Sequence, residues 1–344
     1  MPVYKMYKIP YHTADLSKYS FLITGGAGFI GSNLAEYLVK YKARRIRVLD
    51  NLSTGHMSNI QEYLSHPAFE FIQGDIRNLE NCTAAMEGMD IVFHQAALGS
   101  VPRSILDPVT TNEVNISGFL NMLVAVKESS ARRMVYAASS STYGDSKELP
   151  KVEEKIGNPL SPYAVTKFVN ELYANVFART YKMELIGLRY FNVFGPRQDP
   201  NGAYAAVIPK FVHQLLNHQS PIINGDGNHS RDFTFIENVV QANMLAAFTT
   251  DPNAINTVYN VAYGERTTLN QLVQSLKKFL SESDPSIAGT EPIHGPNREG
   301  DIPHSLASIE KAKKNLGYSP RYNFAEGLRM AVEWYKENSE AIRS

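Results

Sequence analysis

Ser20-Phe21-Leu22-Ile23-Thr24-Gly25-Gly26-Ala27-Gly28-Phe29-Ile30-Gly31 is an apolar run that stops in a glycine turn and restarts as an amphipathic segment. Strand, tight turn and helix in that order bring backbone N–H groups and a helix N-terminus to one point, which suits a diphosphate. Gly25 and Gly28 let the chain turn sharply against the phosphates, and Gly31 lets the helix pack closely on the sheet. Phe29 and Ile30 lie in the same turn and join the cofactor set. Ile30, Leu34 and Leu38, with Tyr37, give the helix its apolar side. The next apolar run, Arg45-Ile46-Arg47-Val48-Leu49, ends at Asp50, about twenty residues past the glycines. A carboxylate there can accept from both adenosine ribose hydroxyls and would repel a 2′-phosphate, which favours NAD over NADP.

Outward from this unit, strands and helices alternate. Phe69-Glu70-Phe71-Ile72-Gln73 leads to Gly74-Asp75-Ile76, then a helix near Leu79–Met86 and the strand Asp90-Ile91-Val92-Phe93-His94-Gln95-Ala96-Ala97. A long helix over Asn112–Ser129 precedes Met134-Val135-Tyr136-Ala137-Ala138, a helix from about Ser161 to Tyr181, and Leu185-Ile186-Gly187-Leu188. Runs apolar on both faces predict a parallel sheet covered on both sides, a doubly wound α/β (Rossmann) fold. Ligands then sit beyond the strands' carboxyl ends, where Asp75 and Ile76 face the adenine half and Gln95, Ala96 and Ala97 the nicotinamide half. Beyond Arg189 prolines break the rhythm. We expect an NAD-binding domain over 1–190, with segments around 230–262 returning to it, and a smaller mixed α/β nucleotide-sugar domain over 191–344.

The 344-residue chain has 34 basic and 34 acidic residues, so nothing in its charge calls for nucleic acid or anionic lipid. No apolar run approaches a membrane span and the first residues carry no secretory signal, which predicts a cytoplasmic protein. The single Cys82 excludes an internal disulfide framework. His56, His213 and His294 have no metal-ligand spacing, and no metal is expected.

Ser161-Pro162-Tyr163-Ala164-Val165-Thr166-Lys167 places Tyr163 and Lys167 on one helix face at i and i+4. A phenol titrating near pH ~10 is a poor base at neutrality. A neighbouring ammonium and a positive nicotinamide would lower that value and make Tyr163 a usable general base. Ala138-Ser139-Ser140-Ser141-Thr142-Tyr143-Gly144 leaves its strand at the same edge, where a hydroxyl can bond the substrate oxygen.

From about residue 19 to 335 the chain resembles the extended short-chain dehydrogenase/reductases that act on nucleotide sugars. The resemblance is carried by Thr24 to Gly31, Asp50-Asn51, Gly74-Asp75-Ile76, His94-Gln95-Ala96-Ala97, Tyr163-x-x-x-Lys167 and Arg189-Tyr190-Phe191-Asn192-Val193-Phe194-Gly195. It implies that Asn51 joins the cofactor set and that Ser139, four residues before Tyr143, is catalytic beside Tyr163 and Lys167. Ser140 and Ser141 join the substrate set, Ser141 as a supporting donor. Asn192, Arg231 and Arg298, followed by Asp301, match positions that hold the nucleotide diphosphate, for which forked guanidinium bonds are suited.

Within the resemblance, the 4,6-dehydratases carry an Asp-Glu pair after the catalytic hydroxyl. Here Ser140 and Ser141 follow Ser139, so 4-epimerisation through a transient 4-keto sugar is the expected reaction. Leu98-Gly99-Ser100-Val101-Pro102-Arg103-Ser104 and Asp199-Pro200-Asn201-Gly202-Ala203-Tyr204-Ala205-Ala206-Val207-Ile208-Pro209 look like the UDP-N-acetylglucosamine 4-epimerases of bacterial surface-polysaccharide pathways. Gly99, Ser100, Arg103, Tyr204, Ala206, Val207 and Asn224 are assigned to the substrate on that basis. Ser305 aligns with a position that is a bulky tyrosine in galactose-restricted epimerases, and a small residue there leaves room for an N-acetyl group. The expected substrate is thus a UDP-N-acetylhexosamine; UDP-glucose or UDP-uronate epimerisation, a lyase reaction and a non-catalytic NAD-binding role stay open. The helices Asn112–Ser129 and Ser161–Tyr181 match those that pair in the family's homodimers. Residues 1–18 give no reading beyond a partly ordered extension.

Overall fold

The computed structural model describes residues 6–200, 205–296 and 302–338. Its centre is a seven-stranded, all-parallel sheet: β1 (Ser20–Thr24), β2 (Arg45–Asp50), β3 (Phe69–Gln73), β4 (Ile91–His94), β5 (Arg133–Ser139), β6 (Glu184–Tyr190) and β7 (Val258–Val261). The strands lie in the order β7-β6-β5-β4-β1-β2-β3, so the chain winds out from β1 in one direction and from β4 in the other. The reversal lies between β1 and β4, where a doubly wound sheet opens its crevice. Register levels the strand ends there: Thr24 pairs with Leu49 on one side and His94 on the other, and Ser139 pairs with Tyr190. Gly25, Asp50, Gln95 and Phe191 therefore leave the sheet along one edge.

Helices α1 (Phe29–Lys40), α2 (Leu79–Met86), α3 (Val101–Leu106), α4 (Pro108–Asn112), α5 (Gly118–Lys127) and α6 (Pro162–Tyr181) occur within the first six strands. Two apolar cores form, one on each sheet face. Leu22, Leu49, Val92, Met134 and Leu185 point to the face covered by Met86, Phe119, Leu123 and Phe177. Phe21, Ile23, Val48, Phe93 and Ile186 point to the other, where Leu34 and Leu38 of α1 meet Val239 and Val240 of a later helix. The expected helix over Asn112–Ser129 is longer and irregular. It starts at Pro108, because Asp107 accepts from Thr110 N (3.0 Å) and caps it, and Glu113–Ser117 form a π turn before α5. In α6, Ser161 Oγ caps Ala164 N (3.1 Å), and Lys182 ends the helix at φ +58°.

After β6 come α7 (Val207–Leu216), α8 (Ile236–Phe248), α9 (Leu269–Ser281), α10 (Glu310–Leu316) and α11 (Phe324–Glu337). α8 packs against α1, and β7 joins the main sheet beside β6. Three short strand pairs complete this half: Val193–Phe194 with Thr234–Phe235, Ser230–Arg231 with Thr267–Thr268, and Ile222–Asn224 with Ile293–Gly295. The apolar core on the α1 face continues without a break into α7, α9 and α11.

The amino-terminal segment is packed from Met6 onward. Tyr7 is buried and donates to Asn33 Oδ1 (3.0 Å), while Tyr11 donates to Glu237 Oε1 (2.6 Å), tying the segment to α1 and α8. Aromatic residues scattered among polar ones carry no periodic signal, so nothing local in the sequence marks this strap. Among the described residues no helix is long and apolar enough to cross a membrane.

Candidate active site

A cavity of about 350 Å³ opens at the crevice. Gly25, Gly28, Phe29, Ile30 and Gly31 form its floor, Asp50, Asn51, Asp75 and Ile76 one wall, and Gln95, Ala96, Ala97 and Gly99 the other. Gly25 has φ +69°, and a Cβ on it would lie 2.7 Å from Ala96 N; a Cβ on Gly31 would lie 2.3 Å from Gly25 O. Neither position tolerates a side chain. Gly28 caps α1 with no side chain accepting from the first helical N–H groups, so these donors face the cavity available to an anion. Asp50 Oδ2 accepts from Ala27 N (2.9 Å) and Oδ1 from Leu52 N (2.8 Å), which locks the glycine turn while the carboxylate still lines the cavity. Burial raises its pKa despite these bonds. Asp75 is held at about 2 by the Arg77 guanidinium (2.7 Å), and it also accepts from Asn51 Nδ2 (2.9 Å). These features fit a dinucleotide: uncapped helix donors for its diphosphate and an ionisable acid at the ribose wall.

A second cavity of about 420 Å³ lies at the ends of β5 and β6. Ser139, Ser140, Ser141, Tyr163, Asn192, Arg231 and Ser305 all line it, so residues far apart in sequence converge. Ser139 Oγ accepts from Ser141 Oγ (2.8 Å) and Ser141 N (3.1 Å). With its acceptor capacity engaged, its own proton points outward, and its hydrogen bond to Tyr163 lowers the phenol's pKa. Burial acts first and in the opposite sense, so the net pKa of Tyr163 is raised. The Lys167 ammonium donates to Ala137 O (2.8 Å). Burial brings Lys167 down to about 8. His94, 2.8 Å from Thr24 Oγ1, is kept neutral with a pKa of about 3, first by burial and then by Lys167.

Asn192 adopts φ +33° and donates to Asp232 O (3.1 Å). Arg231 reaches Ser230 O (3.0 Å) and Pro303 O (3.3 Å). The segment carrying Ser305 is stitched to the same strand: Ser305 N donates to Ser230 O (3.0 Å), and Ala307 N to Asp232 Oδ2 (3.1 Å). Ser100 and Arg103 sit on the first turn of α3, Ala206 and Val207 at the start of α7, and exposed Asn224 at a strand end; none of these lines either cavity. Tyr204, Arg298 and Asp301 lie outside the described residues. Ser53, Thr54 and Gly55 at the first cavity, and Lys151, Phe191 and Ile302 at the second, were missed. Ser53 to Gly55 could have been found, since they begin three residues after Asp50, but nothing in the sequence around Lys151 marks it.

The family model described as "NAD dependent epimerase/dehydratase family" matches residues 21–262. A UDP-glucose 4-epimerase of Mycolicibacterium smegmatis is 33% identical over 321 residues, covering 93% of this chain and 99% of that one. Among solved structures, the UDP-N-acetylglucosamine 4-epimerase of Methanobrevibacter ruminantium in complex with UDP-N-acetylmuramic acid has a TM-score of 0.86. It is 37% identical and covers 93% of this chain and 99% of its own. The Thermus thermophilus UDP-glucose 4-epimerase in complex with NAD has a TM-score of 0.80, with 33% identity and 92% and 99% coverage.

Proposed function

The chain belongs to the NAD dependent epimerase/dehydratase family and has the character of a UDP-sugar 4-epimerase using NAD; we propose that its substrates are UDP-N-acetylglucosamine and UDP-N-acetylgalactosamine, for surface-polysaccharide precursors. One observation carries the choice of reaction: among the described residues, the sugar cavity is lined by five serines and two tyrosines and by no aspartate or glutamate. Elimination needs a carboxyl group to move protons at carbons 5 and 6, and decarboxylation needs a uronate substrate with an acid beside the catalytic hydroxyl. Inversion at carbon 4 needs only one proton taken and returned at one oxygen.

NAD, when bound, supplies the acceptor and donor for the hydrogen on carbon 4. Tyr163 Oη takes the 4-hydroxyl proton and later restores it. Once the 4-hydroxyl is seated, the single proton of Ser139 turns from Tyr163 to that oxygen and orients it, while Ser141 keeps Ser139 Oγ in place. Lys167 supplies positive charge behind the phenol. Asn192 and Arg231 hold the diphosphate, leaving the hexose free to turn over between the two half-reactions. Ser305 leaves space for the 2-acetamido group. In this reading residues 1–190, with β7 and α8, carry the cofactor, and the later residues carry the nucleotide sugar.

The test is NMR of purified protein with UDP-N-acetylglucosamine or UDP-glucose. Faster formation of UDP-N-acetylgalactosamine at unchanged mass is expected, and faster reaction of UDP-glucose overturns the substrate assignment. Tyr163→Phe should lower kcat by about 10²- to 10⁴-fold; an unchanged kcat would remove its role as base.

A further inference from the structure

The sugar cavity does not end at Ser305. A chamber of about 380 Å³ adjoins it, and the two share Gly144, Lys151, Leu160, Ile302 and His304. Leu149, Leu160, Ile302 and Pro303 give the chamber an apolar wall, with Leu149 39% and Leu160 54% exposed. Large apolar side chains left open beside a sugar site are unexpected, since a hexose presents hydroxyls. Two of the chamber's charged side chains are already engaged. Asp145 accepts from Asn158 N (2.7 Å) and Nδ2 (3.1 Å), and the Lys151 ammonium donates to Ser146 O. What the chamber offers a ligand is therefore mostly apolar surface.

Its position says which part of a ligand reaches it. Ser305 and His304 line the sugar cavity, while Ile302, Pro303 and His304 line the chamber, so a group passing Ser305 runs along one continuous wall. That wall is preformed. Ser230 N donates to Pro303 O (2.9 Å), Ser230 Oγ lies 2.9 Å from His304 Nδ1, and the Ser305 and Ala307 amides are bonded as described above.

We propose that the chamber receives the tail of the 2-acylamino group, so that the protein epimerises UDP-hexosamines whose N-acyl chain is several carbons longer than acetyl. This rests on the N-acetylhexosamine reading, in which Ser305 faces carbon 2.

The experiment compares kcat/KM for UDP-N-acetyl-, N-propanoyl- and N-butanoylglucosamine with the holoenzyme, and for Leu149→Trp. Leu149 lines only the chamber and is exposed, so a larger side chain there narrows the chamber without entering the core. Wild type should turn over the butanoyl sugar at least as well as the acetyl sugar, with a gain of up to about fourfold per methylene buried. Leu149→Trp should lower the butanoyl-to-acetyl ratio by about tenfold. A wild-type butanoyl rate below one tenth of the acetyl rate overturns the proposal, as does a ratio that Leu149→Trp leaves in place. A length profile that stops at acetyl, with a carboxylate-bearing hexosamine preferred, would overturn it in favour of an anion at Lys151. Turnover of UDP-glucose but of no acylamino sugar would instead remove the reading beneath it.

Discussion

At the residue scale the site is a set of protons held in place. Ser139 receives two hydrogen bonds from Ser141 and gives one to Tyr163, an order fixed by three consecutive serines at a strand end. The Tyr163–Lys167 pair was legible because i and i+4 share a helix face, yet its electrostatics were not. Burial raises the phenol, and the ammonium is turned to Ala137 O, contacts set by β5 and invisible in the spacing. Lys167 at about 8 sets the alkaline behaviour of the pair. As pH rises through that value the ammonium loses its proton, and with it goes the positive charge proposed to stand behind Tyr163 in the reaction, so kcat should fall above about pH 8. Lys167→Arg keeps its charge there; its kcat–pH profile should lose the alkaline fall, at a lower plateau because the longer fork does not fit the same hole.

At the scale of elements, the glycine turn and the end of β4 hold the cofactor cavity open. Gly31→Ala places a Cβ 2.3 Å from Gly25 O, within backbone that cannot yield without unwinding the turn. We expect the variant to fold and to copurify with far less NAD, read by absorbance after acid release. His94 gives β4 a pH signature. Its folded pKa of about 3 lies below the unfolded value near ~6.5, so the unfolded chain takes up a proton that the fold refuses. Stability from this group is complete above about pH 6.5 and is lost progressively as pH falls toward 3. Between pH 7.5 and 5.5 the loss should be about 1.4 kcal/mol by urea unfolding, and His94→Gln should flatten that part of the curve.

At the scale of the whole molecule, α6 presents a face that nothing among the described residues covers. Val165, Leu172 and Val176 are 46%, 51% and 47% exposed and lie at i, i+7 and i+11, one stripe of the helix. We propose that a second copy covers it. Leu172→Asp with Val176→Asp should convert a dimer to a monomer in light scattering. Wild type running as a monomer would remove the proposal. The amino-terminal strap acts on the same scale, since Tyr7 and Tyr11 bridge α1 and α8 across 26 and 226 residues of sequence. Contacts of that span leave no local pattern.

The sequence by itself determined the doubly wound sheet, its NAD crevice and the helix that pairs Tyr163 with Lys167, because each is written in short-range periodicity and turn chemistry: glycines where the chain turns, an acid at the next strand end, a four-residue helical step. Only the tertiary structure decided what shares the sugar cavity. Ser139, Asn192, Arg231 and Ser305 come from four separate segments, and register along the sheet edge together with the Ser230–Ser305 stitching brings them to one wall. It also decided that Lys151 and the apolar chamber lie beside them. Such groupings depend on how elements pack against one another, and packing is set by the summed burial of the whole chain rather than by any local run of residues.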